Sequence, residues 1–349
     1  MDIVLSFIVV SHNHEKCIAR CLDSILAQDL RVPYEIIVGD DNSSDRTWAI
    51  IQEYQAKYPE KIIIYRVNSN DCNPITLSDR ASYNRGHAYK LLRGKYYAEI
   101  DGDDFLLPGD TYQRQVDLLE SHLECWLCMQ NILCLDDGAD LSKAELYRPK
   151  DMFQNGQIIS AKDYISHQDW FAQHQSFVYR KHPTISPIDK LGLNYEDTTV
   201  TLFHLQFGSI IYLNQSGYVW VNYQNGINRS LRADDRLVSF GLLHIEHMIL
   251  FPQFIDYIFR GNLFELVHLF KETTSRKLQL TETTKKDLAR FEGFIFKYYA
   301  SDKPSTCGEF KMRYVRLIAL LYSRFKIYNW QYLYGLLISR KAARKINWK

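Results

Sequence analysis

The chain has 349 residues, of which 46% are hydrophobic and 14% aromatic, and its formal net charge is +1. Such a composition can fill a sizeable core and excludes an intrinsically disordered chain, while the length points to two units rather than one. Seven cysteines, an odd number at irregular spacing, exclude a regular disulfide framework and suit reduced thiols in a cytoplasm.

Strand and helix signals alternate over the first hundred residues. Val4–Val10 is a continuous apolar run, as expected of a strand buried on both faces. Glu15–Gln28 follows as a helix, with Ile18, Leu22, Ile25 and Leu26 at helical spacing. Tyr34–Val38 is a second buried strand, and the polar loop from Gly39 to Asp45 ends it. Ser44 or Asp45 can cap a helix over Arg46–Lys57. Ile62–Val67 and Tyr96–Ile100 are the third and fourth strands, the last running into Asp101-Gly102-Asp103-Asp104. Pro108-Gly109 precedes a helix through Glu120. Farther on, Phe177-Val178-Tyr179 reads as a strand, Thr198–Gln206 as a helix, and Ile210–Leu213 and Tyr218–Tyr223 as two strands. Beyond about residue 234 long helical segments take over.

This alternation predicts an α/β fold, a mostly parallel, Rossmann-like sheet with helices on its faces. Ligands of such sheets bind beyond the carboxyl ends of the strands. Three polar segments stand there: Ser11-His12-Asn13, Asp40-Asp41-Asn42 and Asp101–Asp104. Three carboxylates packed around a glycine repel one another unless a cation sits between them, and Mg²⁺ or Mn²⁺ prefers such oxygens. The competing reading of the same residues is a solvated acidic turn. A carboxylate of Asp40-Asp41 can accept the N–H of a base or a ribose hydroxyl, or the loop can simply cap a helix. Cys125 and Cys128 form an isolated Cys-x-x-Cys, which without a second pair reads as buried thiols rather than zinc ligands.

Taken together these segments resemble glycosyltransferase family 2, inverting enzymes of the GT-A fold, over roughly residues 3 to 230. The similarity is carried by Ile36–Thr47 as the second-strand signature and by Asn84, Gly86, Gly94 and Tyr96 ahead of Asp101–Asp104. His174-Gln175-Ser176 with Tyr179-Arg180, and Asn194-Tyr195-Glu196-Asp197, complete it. Two segments depart from the pattern: the first strand ends Val10-Ser11-His12-Asn13 where the family often has Pro-Thr-Tyr-Asn. Tyr223–Ser230 holds asparagines where many relatives place a histidine.

The resemblance implies roles. Ser11, Asp41, Arg80, Asp101 and Asp103 would surround a nucleotide sugar: Asp41 at the base, Asp101 at the ribose, Arg80 near the diphosphate. Asp103 and Asp104 would serve the metal, Asp103 directly, with Mn²⁺ or Mg²⁺ as cofactor. Asp197 would be the catalytic base, with Glu196 beside it. Residues 1–233 would form the GT-A domain (nucleotide-binding 1–105, acceptor-binding 106–233) and 234–349 a helical C-terminal region. The donor would be a UDP-sugar and the acceptor a lipid-linked oligosaccharide of capsule or O-antigen type.

Residues 310–349 hold ten Lys and Arg and no Asp or Glu, which leaves 32 basic against 41 acidic residues elsewhere. With leucines at helical spacing, this basic tail resembles a helix lying on an anionic membrane surface. The competing reading is a helical extension packed on the catalytic domain or on a second copy of the chain, a homo-oligomer. The acidic remainder argues against nucleic acid. No basic leader precedes the first strand and no apolar run reaches about 18–20 residues, so a cytoplasmic protein, peripheral at the inner face of the membrane, is expected. A nucleotidyltransferase or a dehydrogenase would need a glycine-rich loop after a strand, and Ser11-His12-Asn13-His14-Glu15 has none. The non-enzymatic alternative is a catalytically inactive sugar-nucleotide-binding scaffold in a membrane polysaccharide complex.

Overall fold

The run Leu5–Ser11 forms strand β1, and all seven of its residues are buried. The computed structural model describes residues 2–69, 77–148, 153–166, 174–185, 197–223, 247, 250–254 and 258. The chain divides into two units, Met1–Ser230 and Leu231–Lys349, and the sheet with its helices lies in the first. In the second, the described residues include a short 3₁₀ turn, Pro252–Phe254. The predicted C-terminal helices and the basic tail 310–349 lie outside the described residues.

β1 pairs in parallel with β2 (Tyr34–Asp41) on one side and β4 (Tyr96–Asp101) on the other, and β2 carries β3 (Ile62–Val67), also parallel. The register sets Ser11 against Asp40 and Val10 against Asp101, so the three polar strand ends come level at one edge. Helices cover both faces, as a parallel sheet buried on each side requires. On one face Leu5, Phe7 and Val9 join Ile36 and Val38 under α1 (Ile18–Leu26) and α4 (Thr111–Ser121) in a continuous core. α1 supplies Ile18, Cys21, Leu22 and Ile25, the i, i+3, i+4, i+7 stripe of an amphipathic helix. α2 (Thr47–Lys57) lies beside α1, where Tyr54 donates to Ala19 O at 3.3 Å. The other face carries α3 (Leu77–Tyr89). There Ser6 donates to Glu35 at 2.6 Å, and Gly94 N–H donates to Ser6 Oγ at 2.9 Å.

Beyond β4 the sheet changes direction. β9 (Phe177–Arg180) runs antiparallel between β4 and β6 (Cys125–Asp136), and β10 (Ser209–Asn222) lies parallel to β6. β5 (Phe105–Leu106) closes the far side in the order β3-β2-β1-β4-β9-β6-β10-β5, while β7 (Glu145–Arg148) and β8 (Ile158–Ile159) pair with β6 and β10, and the short α5 (Ala161–Ser166) follows β8. The α/β, mostly parallel architecture expected of a GT-A domain is thus present. The two strands expected at Ile210–Leu213 and Tyr218–Tyr223 are one fourteen-residue strand with register shifts around Ser216. A Cβ at Gly217 would stand 2.7 Å from Gln130 Oε1, so the bulge lets β10 press close to β6 and α4. Cys125 and Cys128 are free thiols buried in β6, and burial pushes Cys125 up to about 11.

Two helices are held by polar contacts. α3 has no apolar stripe in its sequence and was not expected. It is held instead by polar packing at Gly39, whose carbonyl accepts from Asn84 Nδ2 at 3.1 Å, and by Tyr65, whose hydroxyl donates to Asn84 O at 2.7 Å. α6 (Asp197–Leu205) is anchored at its far end by His204, whose Nδ1 meets Val200 O at 2.8 Å while Tyr97 donates to Nε2 at 3.1 Å. Burial lowers the His204 pKa to about 4, which keeps the ring neutral as these bonds require.

A Cβ at Gly39 would run into Asn84 Oδ1 and the Tyr65 hydroxyl. Gly39→Ala is therefore expected to destabilise the protein by about 1–3 kcal/mol, the usual cost of overpacking, read as a lowered denaturant midpoint at unchanged slope. An unchanged midpoint would show that α3 does not depend on this contact.

Candidate active site

The loop after β2 is built around two buried carboxylates. Asp40 is fully buried and pairs with Arg66 Nε at 2.9 Å, while Ser43 binds it through both its N–H and its hydroxyl. Asp41 is 3% exposed. Its Oδ1 accepts from Ser69 N at 2.8 Å, and its Oδ2 accepts from Ser69 Oγ at 2.8 Å and from Arg80 at 3.0–3.1 Å. Arg80, placed on α3, is thus a partner of Asp41. The loop after β1 is stitched to this one. His12 Nδ1 meets Asp41 O at 2.7 Å, Asn13 N–H donates to Ser43 Oγ at 2.9 Å, and Ser44 N–H donates to Asn13 Oδ1 at 2.9 Å. Asn13 and Asn42 take left-handed backbone, φ +57° and +47°, which asparagine tolerates better than most residues. Ser11 is buried and turns its hydroxyl to Gly39 O at 3.1 Å. Asp45 accepts from Thr47 N at 2.9 Å, but it stands one residue ahead of Arg46, the N-cap of α2, so neither Ser44 nor Asp45 takes the capping position itself.

At the end of β4 the carboxylates of Asp101, Asp103 and Asp104 take three different situations. Asp101 is held on both oxygens: Arg85 Nη2 donates to Oδ1 at 2.7 Å and Gln175 Nε2 to Oδ2 at 2.5 Å. Arg85 is itself buried and lies 3.6 Å from Glu99, so one guanidinium serves two carboxylates. Asp104 is 1% exposed and turned inward, where Tyr218 donates to Oδ2 at 2.5 Å and Val221 N–H to Oδ1 at 2.7 Å. Burial, and then the charges of Asp103 and Asp101, raise its pKa well above the usual carboxylate range.

Asp103 differs from both. Its carbonyl accepts from Arg20 Nη2 at 3.1 Å and from the Tyr223 hydroxyl at 3.2 Å, but among the described residues no side chain donates to its carboxylate. Burial raises its pKa, Asp101 adds to the rise, and His14 and Arg20 oppose it. Asp103 is therefore a half-buried carboxylate without a full counter-charge. Among the described residues no group of three or more His, Cys, Asp or Glu could hold a metal by itself. The donor set offered here is one open carboxylate, which suits a hard cation that takes its remaining ligands from phosphates and water.

The structure thus brings Ser11, Asp41, Arg80, Asp101, Asp103 and Asp104 to one edge of the sheet. Asp197 is the first residue of α6 and its side chain lies outside the described residues, as does Glu196 entirely. Sequence reading missed Ser69, Arg85, Gln175, Tyr218 and Arg20. Only Gln175 had a signal, its place in the His174-Gln175-Ser176 segment.

Among the described residues no helix is long and apolar enough to cross a membrane. The chain is 28% identical over 234 residues to an uncharacterized protein of Mycobacterium tuberculosis, covering 66% of this chain and 62% of that one. It therefore spans less than two thirds of the length of those mycobacterial relatives. It is 33% identical over 104 residues to the poly(ribitol-phosphate) beta-glucosyltransferase of Bacillus spizizenii, covering 29% of this chain and 15% of that one. A chondroitin synthase of Escherichia coli is 30% identical over 159 residues, with 45% and 19% covered. Among solved structures, the 1–349 portion of S. aureus TarS in complex with UDP-GlcNAc aligns with a TM-score of 0.56 at 18% identity, covering 97% of this chain and 92% of that one. The family model described as Glycosyl transferase family 2 matches residues 6–184, and the chain belongs to that family.

Proposed function

We propose that this chain is an inverting glycosyltransferase that moves a sugar from a UDP-sugar to an acceptor hydroxyl. One observation carries the reading: on either side of the β1 end stand a partnered carboxylate, Asp41, and an open one, Asp103. A nucleotide sugar needs such asymmetry, with fixed polar groups for the base and an electrophilic centre for the phosphates. Asp41, with Arg80 beside it, takes the base; Arg80 is assigned there rather than to the diphosphate because it pairs with Asp41. Ser11 belongs to the same floor. Asp101, held by Arg85 and Gln175, takes the ribose. The UDP-GlcNAc complex of the TarS portion supports a uridine donor.

Asp103 would hold the divalent cation, Mn²⁺ or Mg²⁺, and Asp104 supports it by fixing the loop against β10. When bound, the cation offsets the negative charge that develops on the leaving diphosphate. Asp197, with Glu196 next to it, takes the proton of the acceptor hydroxyl as that oxygen attacks the anomeric carbon. Attack opposite the leaving group inverts the centre, and a single base with no protein nucleophile suits that one-step course. The acceptor is a lipid-linked or free oligosaccharide of a surface polymer. Two relatives bear the names of polymer-directed enzymes, and the tail 310–349 would bring the chain to an anionic, cytoplasmic membrane face.

UDP release from a panel of UDP-sugars with Mn²⁺, alone and with acceptor, tests the reading. Release should be lost with EDTA and fall more than about 100-fold in Asp103→Ala, the scale of losing electrostatic stabilisation of a leaving group. Proton and cation compete for Asp103, so apparent Mn²⁺ affinity should fall as pH is lowered. Silence with every donor and acceptor would sink the enzyme reading.

Asp197→Asn should reduce kcat by about 10²–10⁴-fold, the share of a general base, with UDP affinity unchanged. A full-rate variant would remove Asp197 from that role. Deleting residues 310–349 should move the protein from the membrane to the soluble fraction, and unchanged pelleting would rule out the tail as an anchor.

A further inference from the structure

His14 is a polar side chain at this edge for which the fold supplies no partner. Its Nδ1 is enclosed and makes no hydrogen bond. The backbone around it is fully engaged: His14 N–H donates to Thr47 Oγ1 at 2.7 Å, and its carbonyl accepts from Cys17 N at 3.0 Å and Ile18 N at 2.9 Å. The ring is pressed against the Asp101–Asp104 loop. A Cβ at Gly102 would stand 2.9 Å from His14 Nδ1, so glycine there makes room for the imidazole. The residue is therefore fixed by its backbone on one side and by Gly102 on the other.

An enclosed nitrogen without a partner is tolerated far better as a bare lone pair than as an N–H, because orphaned buried donors are the rarer and costlier case. The tautomer that fits carries its proton on Nε2. No described residue hydrogen-bonds that atom, and it is not enclosed as Nδ1 is. The result is an oriented N–H donor next to the loop that carries the open carboxylate of Asp103. From the same segment, Arg20 reaches the Asp103 carbonyl at 3.1 Å and adds positive charge.

We propose that His14 is a further binding residue of the donor site, its Nε2–H donating to the diphosphate of the bound nucleotide beside Asp103. The inference rests on the donor-site reading above. It selects the diphosphate over the base because Asp41 and Arg80, the groups assigned to the base, lie on the β2 side of β1. The β4 side holds Asp103, with the His14 ring beside it as an N–H donor and Arg20 as a cation.

The test is calorimetric titration of the full chain with Mn²⁺ and either UDP or UMP, with GDP and GMP in parallel. His14→Ala should weaken the diphosphate by about tenfold, the scale of a hydrogen bond to a charged group, and change the monophosphate by less than about twofold. His14→Gln, which can present an amide N–H at similar reach, should recover part of the loss. Equal losses for UDP and UMP, or no loss for UDP, would overturn the proposal. An Asp103→Ala variant separates the two levels of the argument. If it loses Mn²⁺-dependent UDP affinity while His14→Ala does not, only the His14 assignment fails. If the unaltered chain binds neither UDP nor GDP, the donor-site reading fails and the assignment with it.

Discussion

Gathering carboxylates at the carboxyl ends of neighbouring parallel strands is the constraint on which this structure turns. A buried ionised carboxylate is costly unless paired or well hydrogen-bonded. Here most are answered from elements distant along the chain. Arg66 on β3 answers Asp40, Arg80 on α3 answers Asp41, and Arg85, one turn farther along α3, is shared by Asp101 and Glu99. Tyr218 and the backbone of Val221 on β10 answer Asp104. Among the described residues the Asp103 carboxylate alone of this group has no side-chain donor, and the chemistry proposed for the site belongs there.

This compensation also explains architecture that a hydrophobic core alone would not dictate. α3 has a polar surface and is placed by its arginines and by Asn84, which closes on Gly39 without an intervening Cβ. The antiparallel half of the sheet serves the same end. β9 is short, yet it follows directly on Gln175, whose amide grips Asp101. β10 is long and bulged, and past the bulge it delivers Tyr218 beneath the Asp101–Asp104 turn. There the tyrosine hydroxyl lies 3.4 Å from Asp101 N while donating to Asp104. Burial, followed by the charge of Asp104, keeps that phenol protonated. The parallel strands β1 to β4 and the second half of the domain are thus joined by polar contacts at this edge of the sheet. The apolar core under α1 and α4 supplies the rigid floor.

Much of the fold was legible because the local signals agreed with one another. Apolar runs marked β1 to β4, a helical stripe marked α1, Pro108-Gly109 marked the start of α4, and polar stretches beginning at Ser11, Gly39 and Asp101 marked the strand ends. The register of parallel strands then allowed those ends to meet. What escaped were elements without a period of their own. α3 lacks an apolar stripe, β6 was hidden within a mixed segment, and the bulge at Ser216–Gly217 made one strand resemble two.

The sequence by itself determined the alternating α/β order, the acidic composition of the strand ends and the family resemblance they carry. These depend on residue type and short spacing, which hydrophobic burial reads locally. Only the tertiary structure decided which carboxylate is free and which are spent. Asp101, Asp103 and Asp104 are nearly consecutive and chemically alike, but the partners of Asp101 and Asp104 come from sites 16, 74 and 114 residues away, and no described residue donates to the Asp103 carboxylate. Charge compensation in a low-dielectric interior acts through distance in space, so no pattern along the chain distinguishes them.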